Sequence, residues 1–238
     1  MEPMTERFSQ FDAHADTYDD VVNQALRLSG ENRHYFARRR VQWLAGRLHV
    51  AGAKVDSVLD FGCGTGAAAP LFVECLSAQR TVGIDVSSAS IEIAQHRYGT
   101  QQASFCWHKE YEPNGDFDLV YASCVFHHIA PAERSGAIDS ILRSLRPGGW
   151  FALWEHNPFN LGARYVMRRV EFDADAIPLR PSEARQLLLA GGFEVRHLDF
   201  LFLFPRIFRF LRFLEPRLTR WPLGAQYVVL GQKSERTQ

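Results

Sequence analysis

The sequence predicts an α/β fold in which helices cover both faces of a mostly parallel sheet. Three features support this class: strands and helices alternate over about 100 residues, a glycine-rich turn follows the first strand, and the second strand ends in an acid. In such sheets the carboxyl ends of the strands meet at one edge, where ligands bind. We therefore expect the functional residues to lie directly after the strands.

Hydrophobic periodicity and turn residues assign the elements in order. Ser87 or Ser88 and Ser182 are the expected helix N-caps, and the segment 147–149 (PGG) is expected to end a helix and start a strand. The predicted helices cover residues 33–50, 67–76, 90–98, 133–145 and 183–190. The predicted strands cover residues 57–61, 80–86, 103–107, 117–122, 150–156, 193–204 and 226–230.

Length and composition are those of one globular domain. The chain has 238 residues, of which 46% are hydrophobic and 23% are charged, so it can bury a full core. The 27 lysines and arginines balance the 27 aspartates and glutamates, so no net charge would attract nucleic acid. The sequence predicts a compact, soluble protein with no nucleic-acid partner.

Cysteine spacing and the amino terminus bear on metal binding and localisation. Positions 63, 75, 106 and 124 form no C-x-x-C pair, so neither a zinc site nor a disulfide framework is expected. Residues 1–20 are polar and acidic, without the basic and apolar regions of a signal peptide. A transmembrane helix needs about 18 uninterrupted apolar residues, and no window reaches that length. We therefore expect a cytoplasmic protein, and the cysteine spacing leads us to expect no bound metal.

The glycine-rich turn VLDFGCGTGA at 58–67 fits two kinds of cofactor. Gly62, Gly64 and Ala67 satisfy the dinucleotide pattern G-x-G-x-x-G/A, whereas Gly66 completes the D-x-G-x-G-x-G pattern of nucleoside-binding transferases. Glycines allow positive φ and close approach of a ligand, and the following helix offers free N–H groups to a phosphate or a carboxylate. Asp85, at the end of the second strand, is placed to accept hydrogen bonds from both hydroxyls of a ribose.

Four segments together resemble class I S-adenosylmethionine-dependent methyltransferases. They are DFGCGTG at 60–66, GIDVSSASIEIA at 83–94, FDLVYASCVFHHI at 117–129 and LRPGGW at 145–150, in the order usual for that family. The segment FDAHADTYDD at 11–20 also resembles the region that precedes the core in the small-molecule branch, including the quinone-biosynthesis methyltransferases. The resemblance implies a Rossmann-like, seven-stranded sheet with an antiparallel last strand, and S-adenosylmethionine as the cofactor.

The resemblance also implies roles for individual residues. Asp60 and the three glycines would line the methionine end of the cofactor, and Asp85 would hold the ribose. The sequence departs from the family pattern after the third strand, where His108, Lys109 or Glu110 stands in place of the usual aspartate beside the adenine. The implied cofactor-binding residues are Tyr18, Asp60, Gly62, Gly64, Gly66, Asp85, Val86 and Ser123.

Three histidines are candidate general bases. His127 and His128 follow the fourth strand and His156 ends the fifth, where the acceptor is expected. Methyl transfer depends mainly on alignment and desolvation, and it needs a base only when the nucleophile must lose a proton. An alternative is that the paired histidines cap a helix or hold the loop.

The carboxy-terminal stretch Arg206–Leu214 alternates arginines with phenylalanines, as in a basic amphipathic helix. Such a face could bind an anionic membrane surface or a lipid-like substrate. The simpler interpretation is that its apolar side roofs the active site and its arginines are solvated.

These features favour one methyltransferase acting on a small, apolar or lipid-like acceptor. We expect an amino-terminal helical cap at 1–50 and a methyltransferase domain at 51–238 with insertions at about 156–181 and 205–224. One alternative is an NAD-dependent oxidoreductase, which rests on Gly62, Gly64 and Ala67 alone. A second alternative is a non-catalytic binding protein on the same fold.

Overall fold

The computed structural model describes residues 12, 15 and 17–235, so part of the amino-terminal segment 11–20 lies outside the described residues. Numbered in chain order, its helices are α1 Tyr18–Ala25, α2 Arg33–Val50, α3 Ala69–Leu76, α4 Ser88–Tyr98, α5 Arg134–Ser144, α6 Leu161–Met167, α7 Pro181–Ala190 and α8 Glu215–Leu218. Its strands are β1 Ser57–Phe61, β2 Arg80–Asp85, β3 Ala103–Trp107, β4 Phe117–Ser123, β5 Leu145–His156, β6 Phe193–Leu201 and β7 Gln226–Lys233.

The seven strands form one sheet in the order β3-β2-β1-β4-β5-β7-β6. Along this order each strand from β3 to β5 is parallel to the next, whereas β7 is antiparallel to both β5 and β6. The predicted fold, a mostly parallel sheet with an antiparallel last strand, is therefore confirmed. Strand order reverses between β1 and β4, so the glycine turn after β1 lies at the edge where such sheets bind ligands.

Buried apolar side chains cover both faces of the sheet, as two separate clusters show. One joins Leu44 and Leu48 of α2 to Leu71 and Phe72 of α3 and to alternate residues of β4 and β5. The other joins α5 and α7 to the side chains of the same strands that point to the opposite face of the sheet, among them Phe151 and Leu153. Helices therefore hold the central strands from both sides, which fixes the ends of β1, β4 and β5 relative to one another.

Several predicted boundaries are wrong. β5 begins at Leu145 and contains the PGG segment 147–149, because the pairing register shifts between Phe117 and Leu119 and accommodates the extra residues. β6 ends at Leu201, since Phe202 takes a φ of +64°.

Other boundary differences lie at helix and strand termini. α7 starts with Pro181 after an Arg180 N-cap, so Ser182 does not cap it. β7 continues three residues beyond the predicted Leu230, where it pairs with Trp150 and Phe151 of β5 and with the start of β6. Strand pairing sets this end, which the local sequence pattern does not encode.

The segment Arg206–Leu214 between β6 and β7 is a 3₁₀ helix, with non-helical φ and ψ angles at Phe208. None of its residues is buried, and Ile207, Phe210 and Phe213 are each at least 67% exposed. The prediction that its apolar side roofs the active site is therefore wrong for these three side chains. The prediction that its arginines are solvated is wrong for Arg212, whose side chain is 19% exposed and pairs with Glu31. In the described part of the chain, every helix is too short or too polar to span a bilayer.

Candidate functional site

The carboxyl ends of β1, β4 and β5 open into one cavity of about 630 Å³. Helices α1 and α2, the segment 160–173 and residues 202–205 form further parts of its wall. Three of the residues with predicted site roles, Gly66, Asp85 and Val86, do not line it. The ones that do are Tyr18, Asp60, Gly62, Gly64, Ser123, His127, His128 and His156.

The three glycines of the turn all have positive φ, at +75° for Gly62, +52° for Gly64 and +79° for Gly66. A Cβ atom on Gly62 would lie 2.4 Å from the side chain of Val125, and one on Gly66 would lie 2.9 Å from the ring of Phe105. A Cβ atom on Gly64 would meet nothing within 4 Å. Gly62 and Gly66 therefore allow close packing of the turn, whereas Gly64 faces open space in the cavity.

Asp85 connects this turn to the next helix. Its carboxylate accepts hydrogen bonds from the backbone N–H of Gly64 at 2.8 Å and of Ser87 at 2.9 Å. Its carboxylate also accepts a hydrogen bond from the backbone of Val86. The carbonyl of Val86, the next residue, accepts a hydrogen bond from the indole N–H of Trp107 at 3.0 Å. Both residues lie next to the cavity wall, where the turn, β2 and β3 meet.

Asp60, the first acid of the motif, is buried at the end of β1 with 3% of its surface exposed. Burial, together with the nearby charge of Asp85, raises the pKa of Asp60 to about 8. Near neutral pH its carboxyl is therefore largely protonated unless a cation lies beside it.

Two arginines of α2 lie seven residues apart and both line the cavity. Arg33 pairs with Asp19, donates to Thr65 Oγ1 of the glycine turn at 3.3 Å and lies over the ring of Tyr18. Arg40 donates to Ser123 Oγ at 2.6 Å and to Gln226 at 2.9 Å. The cavity thus contains two guanidinium groups whose partners lie at the ends of β1, β4 and β7.

Tyr18 contributes an aromatic side chain to the wall. Its ring stacks on Phe172 with the centroids 4.8 Å apart, so α1 contacts the segment that follows β5. Burial raises the pKa of the Tyr18 hydroxyl to about 12, with Arg33 opposing the shift. The hydroxyl therefore stays protonated and can donate a hydrogen bond into the cavity.

The three candidate histidines form one cluster with two carboxylates. His127 Nδ1 lies 2.5 Å from Glu155 Oε2, and His127 Nε2 lies 3.5 Å from Asp173 Oδ1. His128 Nε2 lies 3.3 Å from the same Asp173 oxygen. The ring of His156 lies 5.7 Å from that of His127, measured between centroids.

The electrostatics of this cluster are set by burial and by the two carboxylates. Burial disfavours the charged form of His127, but Glu155 and Asp173 outweigh it and raise its pKa well above the usual value. The pKa of His128 is lowered by burial and by the neighbouring His127. Burial alone would raise the pKa of Asp173, but both histidines hold it below its usual range.

Backbone contacts fix the loops that carry the cluster. Glu155 Oε1 accepts hydrogen bonds from the N–H groups of Val125 and Phe126 at 3.2 and 2.8 Å. The N–H of Ile177 donates to the carbonyl of His127 at 2.8 Å, and the buried Arg134 donates to the carbonyls of Phe126 and Ile177. The loop after β4 and the segment around Asp173 are therefore held together as one unit.

Sequence reasoning missed four residues of this site: Arg33, Arg40, Glu155 and Asp173. The seven-residue spacing of the two arginines places them on one side of α2, a signal available from the sequence. Glu155 directly precedes a candidate histidine at the end of a strand, which is also a readable signal. Asp173 lies among other acids in EFDADA, and no local pattern separates it from them.

The strand order, the antiparallel β7 and the glycine turn at the switch point are those of the Rossmann-like fold of class I methyltransferases. A model of the methyltransferase-domain family matches residues 59–151, from β1 into β5. This part of the chain is therefore similar to methyltransferase domains. The NAD-dependent alternative is not favoured by this match.

Similar proteins agree with this assignment. An uncharacterized methyltransferase of Synechocystis sp. is 36% identical over 111 residues, which cover 44% of this chain and 50% of the relative. A SAM-dependent methyltransferase of Thermotoga maritima superposes with a TM-score of 0.64 at 17% identity, covering 96% of this chain and 100% of the other.

A chain of the Haloferax volcanii complex between the Trm112 methyltransferase activator and a methyltransferase superposes with a TM-score of 0.65 at 18% identity, covering 94% and 97% of the two chains. At this identity the structural similarity establishes the fold alone. The chain spans about half, or less, of the length of the curated relatives it matches.

Proposed function

We propose that this protein transfers a methyl group from S-adenosylmethionine to a small, apolar or lipid-like acceptor. The observation that carries this proposal is the single cavity that joins the glycine turn of β1 to the histidine cluster after β4 and β5. Such a cavity has room for the methyl donor at one end and for the acceptor at the other.

The residues at the turn fit the methionine end of the cofactor. The space that a side chain at position 64 would fill is open, because the residue is Gly64. A hydrogen bond from the N–H of Gly64 to Asp85 holds the turn in place. Asp60 offers a buried carboxyl whose charge the cationic ammonium group would stabilise, and Arg33 offers a partner for the cofactor's carboxylate. Asp85 and Val86 remain the proposed contacts of the ribose and the adenine, and Tyr18 the residue that covers the site.

S-adenosylmethionine, when bound, supplies a sulfonium methyl group for in-line transfer. The protein's part is to align the acceptor, to exclude water and to take up a proton where the acceptor must lose one. Ser123, held by Arg40, lies between the turn and the histidines. Among the proposed bases, His127 and His128 both contact Asp173, whereas His156 contacts the thiol of Cys124.

The acceptor class follows from the remaining wall of the cavity. Away from the glycine turn and the histidines, most of its side chains are apolar. Because an apolar wall favours an acceptor with an apolar body, the polar groups would contact only its reacting end. Examples of this wall are Val22, Leu26, Leu161, Val166, Val170 and Phe202.

Calorimetric titration with S-adenosylmethionine and with NAD tests the cofactor. We expect binding of the first and none of the second, and the opposite result would overturn the proposal. Transfer of a radiolabelled methyl group to a panel of small apolar alcohols, phenols and amines then tests the reaction. A cofactor that binds but whose methyl group labels none of these acceptors would favour the non-catalytic alternative.

Cofactor affinity should rise as pH increases from about 6 toward about 8 and should fall at higher pH, where the α-ammonium group of the ligand loses its proton. The reason is that Asp60, with a pKa of about 8 in the free protein, must lose its proton to stabilise a cationic ligand. The Asp60→Asn variant should bind more weakly at pH 8.5, without that rise. Calorimetry between pH 6 and 9 measures both profiles, with Asp116→Asn outside the cavity as the control.

The same pKa has a consequence for stability. A carboxyl whose pKa is higher in the folded than in the unfolded protein loses stabilisation as pH rises from the unfolded value, near 4, to the folded one. Without ligand, wild type should therefore lose thermal stability relative to Asp60→Asn over that range. Equal slopes for the two proteins would contradict a raised pKa at Asp60.

We also propose that the face formed by Arg206–Leu214 binds an anionic membrane surface. Ile207, Phe210 and Phe213 are exposed, as are Arg206 and Arg209. Exposed aromatic and arginine side chains together suit the boundary between acyl chains and anionic headgroups. Phe204 and Pro205, directly before this face, line the cavity, so a lipid-like acceptor could enter beside it.

Sedimentation with phosphatidylglycerol vesicles tests this contact. We expect binding that weakens as salt increases and that is lost in the Phe210→Ser/Phe213→Ser double variant. Leu189→Ser, which changes an exposed leucine of α7, is the matched control and should bind like wild type. No sedimentation of wild type with these vesicles at low salt would overturn the membrane contact.

A further inference from the structure

Two imidazoles and a carboxylate on the cavity wall converge in a way that the proposed cofactor contacts do not require. His127 Nε2 and His128 Nε2 lie 3.5 and 3.3 Å from one oxygen of Asp173. One potential ligand atom from each of the three residues lies within 4.8 Å of the other two. All three side chains line the cavity, and that of His127 is buried.

The two nitrogen-to-oxygen distances, 3.5 and 3.3 Å, match those between ligands of one metal ion. Zinc binds imidazole nitrogens and carboxylate oxygens at about 2.0–2.2 Å, which places two ligands of a tetrahedral site about 3.4 Å apart. We propose that His127, His128 and Asp173 bind a first-row divalent cation such as Zn²⁺. Two imidazoles with one carboxylate form a donor set that suits zinc or iron better than magnesium or calcium.

The surroundings of His127 are those of a metal ligand. Its Nδ1 contacts Glu155, whose other oxygen accepts hydrogen bonds from two backbone N–H groups. A carboxylate that holds the second nitrogen of a histidine fixes the tautomer and directs the first nitrogen toward the metal. Here Glu155 directs Nε2 of His127 toward Asp173.

Charge also favours a cation at this place. Glu155 and Asp173 are two nearly inaccessible carboxylates on either side of His127. Burying a carboxylate is costly unless a positive charge pairs with it. Arg134, which is buried nearby, donates its hydrogen bonds to the carbonyls of Phe126, Ile129 and Ile177. A divalent cation would balance both carboxylates and leave His127 neutral.

The three ligands leave a coordination position free for a ligand in the cavity. If the methyl-transfer proposal holds, an oxygen of the acceptor could occupy that position, and the cation would lower the pKa of a hydroxyl there. With the cation bound, His127 and His128 would be ligands, and of the three proposed bases His156 would be the one able to take up a proton. This role rests on the proposed function, whereas the binding of the metal does not.

Metal analysis of the full chain tests the site without cofactor or acceptor. The protein is incubated with ZnCl₂ or CoCl₂, dialysed and analysed for metal content and, with cobalt, for visible absorption. We expect one ion per chain in wild type, and at least a tenfold weaker affinity in His128→Ala and Asp173→Asn. MgCl₂ should not compete.

Two matched controls exclude general effects of the substitutions. Asp175→Asn changes an exposed acid two residues from Asp173, and His96→Ala changes an exposed histidine of α4. Both should retain one ion per chain, and circular dichroism should show that all variants are folded. The proposal is wrong if wild type retains no more metal than His128→Ala, in which case the contacts are an ion-paired network only. Loss of metal binding with intact S-adenosylmethionine binding would leave the proposed function standing.

Discussion

The Gly64→Arg variant should lose all measurable binding of S-adenosylmethionine while it keeps its fold. A side chain at this position would enter the cavity, where a Cβ atom meets no protein atom within 4 Å. The backbone cost of a non-glycine residue at a φ of +52° is about 1–2 kcal/mol, which a domain of this size tolerates. By contrast, the arginine side chain would occupy the space of the ligand, and no other contact would restore the lost binding. Calorimetry with the cofactor and a thermal melt measure the two effects.

Gly52→Arg provides the matched control for this prediction. Gly52 has a φ of +67°, is exposed after α2 and also has no atom within 4 Å of an added Cβ. Its substitution should cause a similar fall in melting temperature without affecting cofactor binding. If Gly64→Arg binds the cofactor like Gly52→Arg, the open space above the turn does not hold the methyl donor.

The largest loss of stability is expected from Glu155→Ala. Glu155 accepts hydrogen bonds from Val125 and Phe126 and contacts His127 at 2.5 Å, and 1% of its side chain is exposed. Removing it leaves two N–H groups and a buried imidazole without their partner, a change that typically costs about 3–5 kcal/mol. For a chain of this length we expect the melting temperature to fall by about 10 °C.

Two further variants distinguish the loss of the Glu155 charge from the loss of its side-chain volume and from the effect of removing any glutamate. Glu155→Gln keeps an acceptor for the backbone N–H groups, so its melting temperature should lie between those of wild type and Glu155→Ala. Glu194→Ala removes an exposed glutamate of β6 that pairs with Arg196, and it should melt like wild type. A Glu155→Ala protein that melts within about 2 °C of wild type would show that the loop after β4 does not depend on this carboxylate.

Local patterns were sufficient to predict the central part of the fold. The strand at 57–61, the helix at 33–50 and the strand at 103–107 have the boundaries that hydrophobic periodicity predicts. Each of these elements packs an apolar face against neighbours, so the pattern along the chain reflects burial directly. The candidate site was predicted less completely, because its residues come from segments more than 100 positions apart.

Long-range contacts explain the incorrect predictions. Arg206–Leu214 has the alternation of an amphipathic helix, yet Ile207, Phe210 and Phe213 stay exposed. Amphipathic spacing indicates a face that avoids water but does not specify what covers it. Likewise, the bulge opposite Phe117 that keeps the PGG segment within β5 depends on pairing with β4.

The α/β class, the glycine turn and the histidines at the strand ends were predictable from local patterns, because each depends on residues that are neighbours along the chain. Only the tertiary structure brought Asp173 to His127 and His128 and placed Glu155 behind them. The spacing of the cysteines predicted no metal site, whereas the histidine cluster forms by folding of the segment after β5 onto the loop after β4. Convergence of side chains from separate segments depends on packing, and no pattern in any one of those segments encodes it.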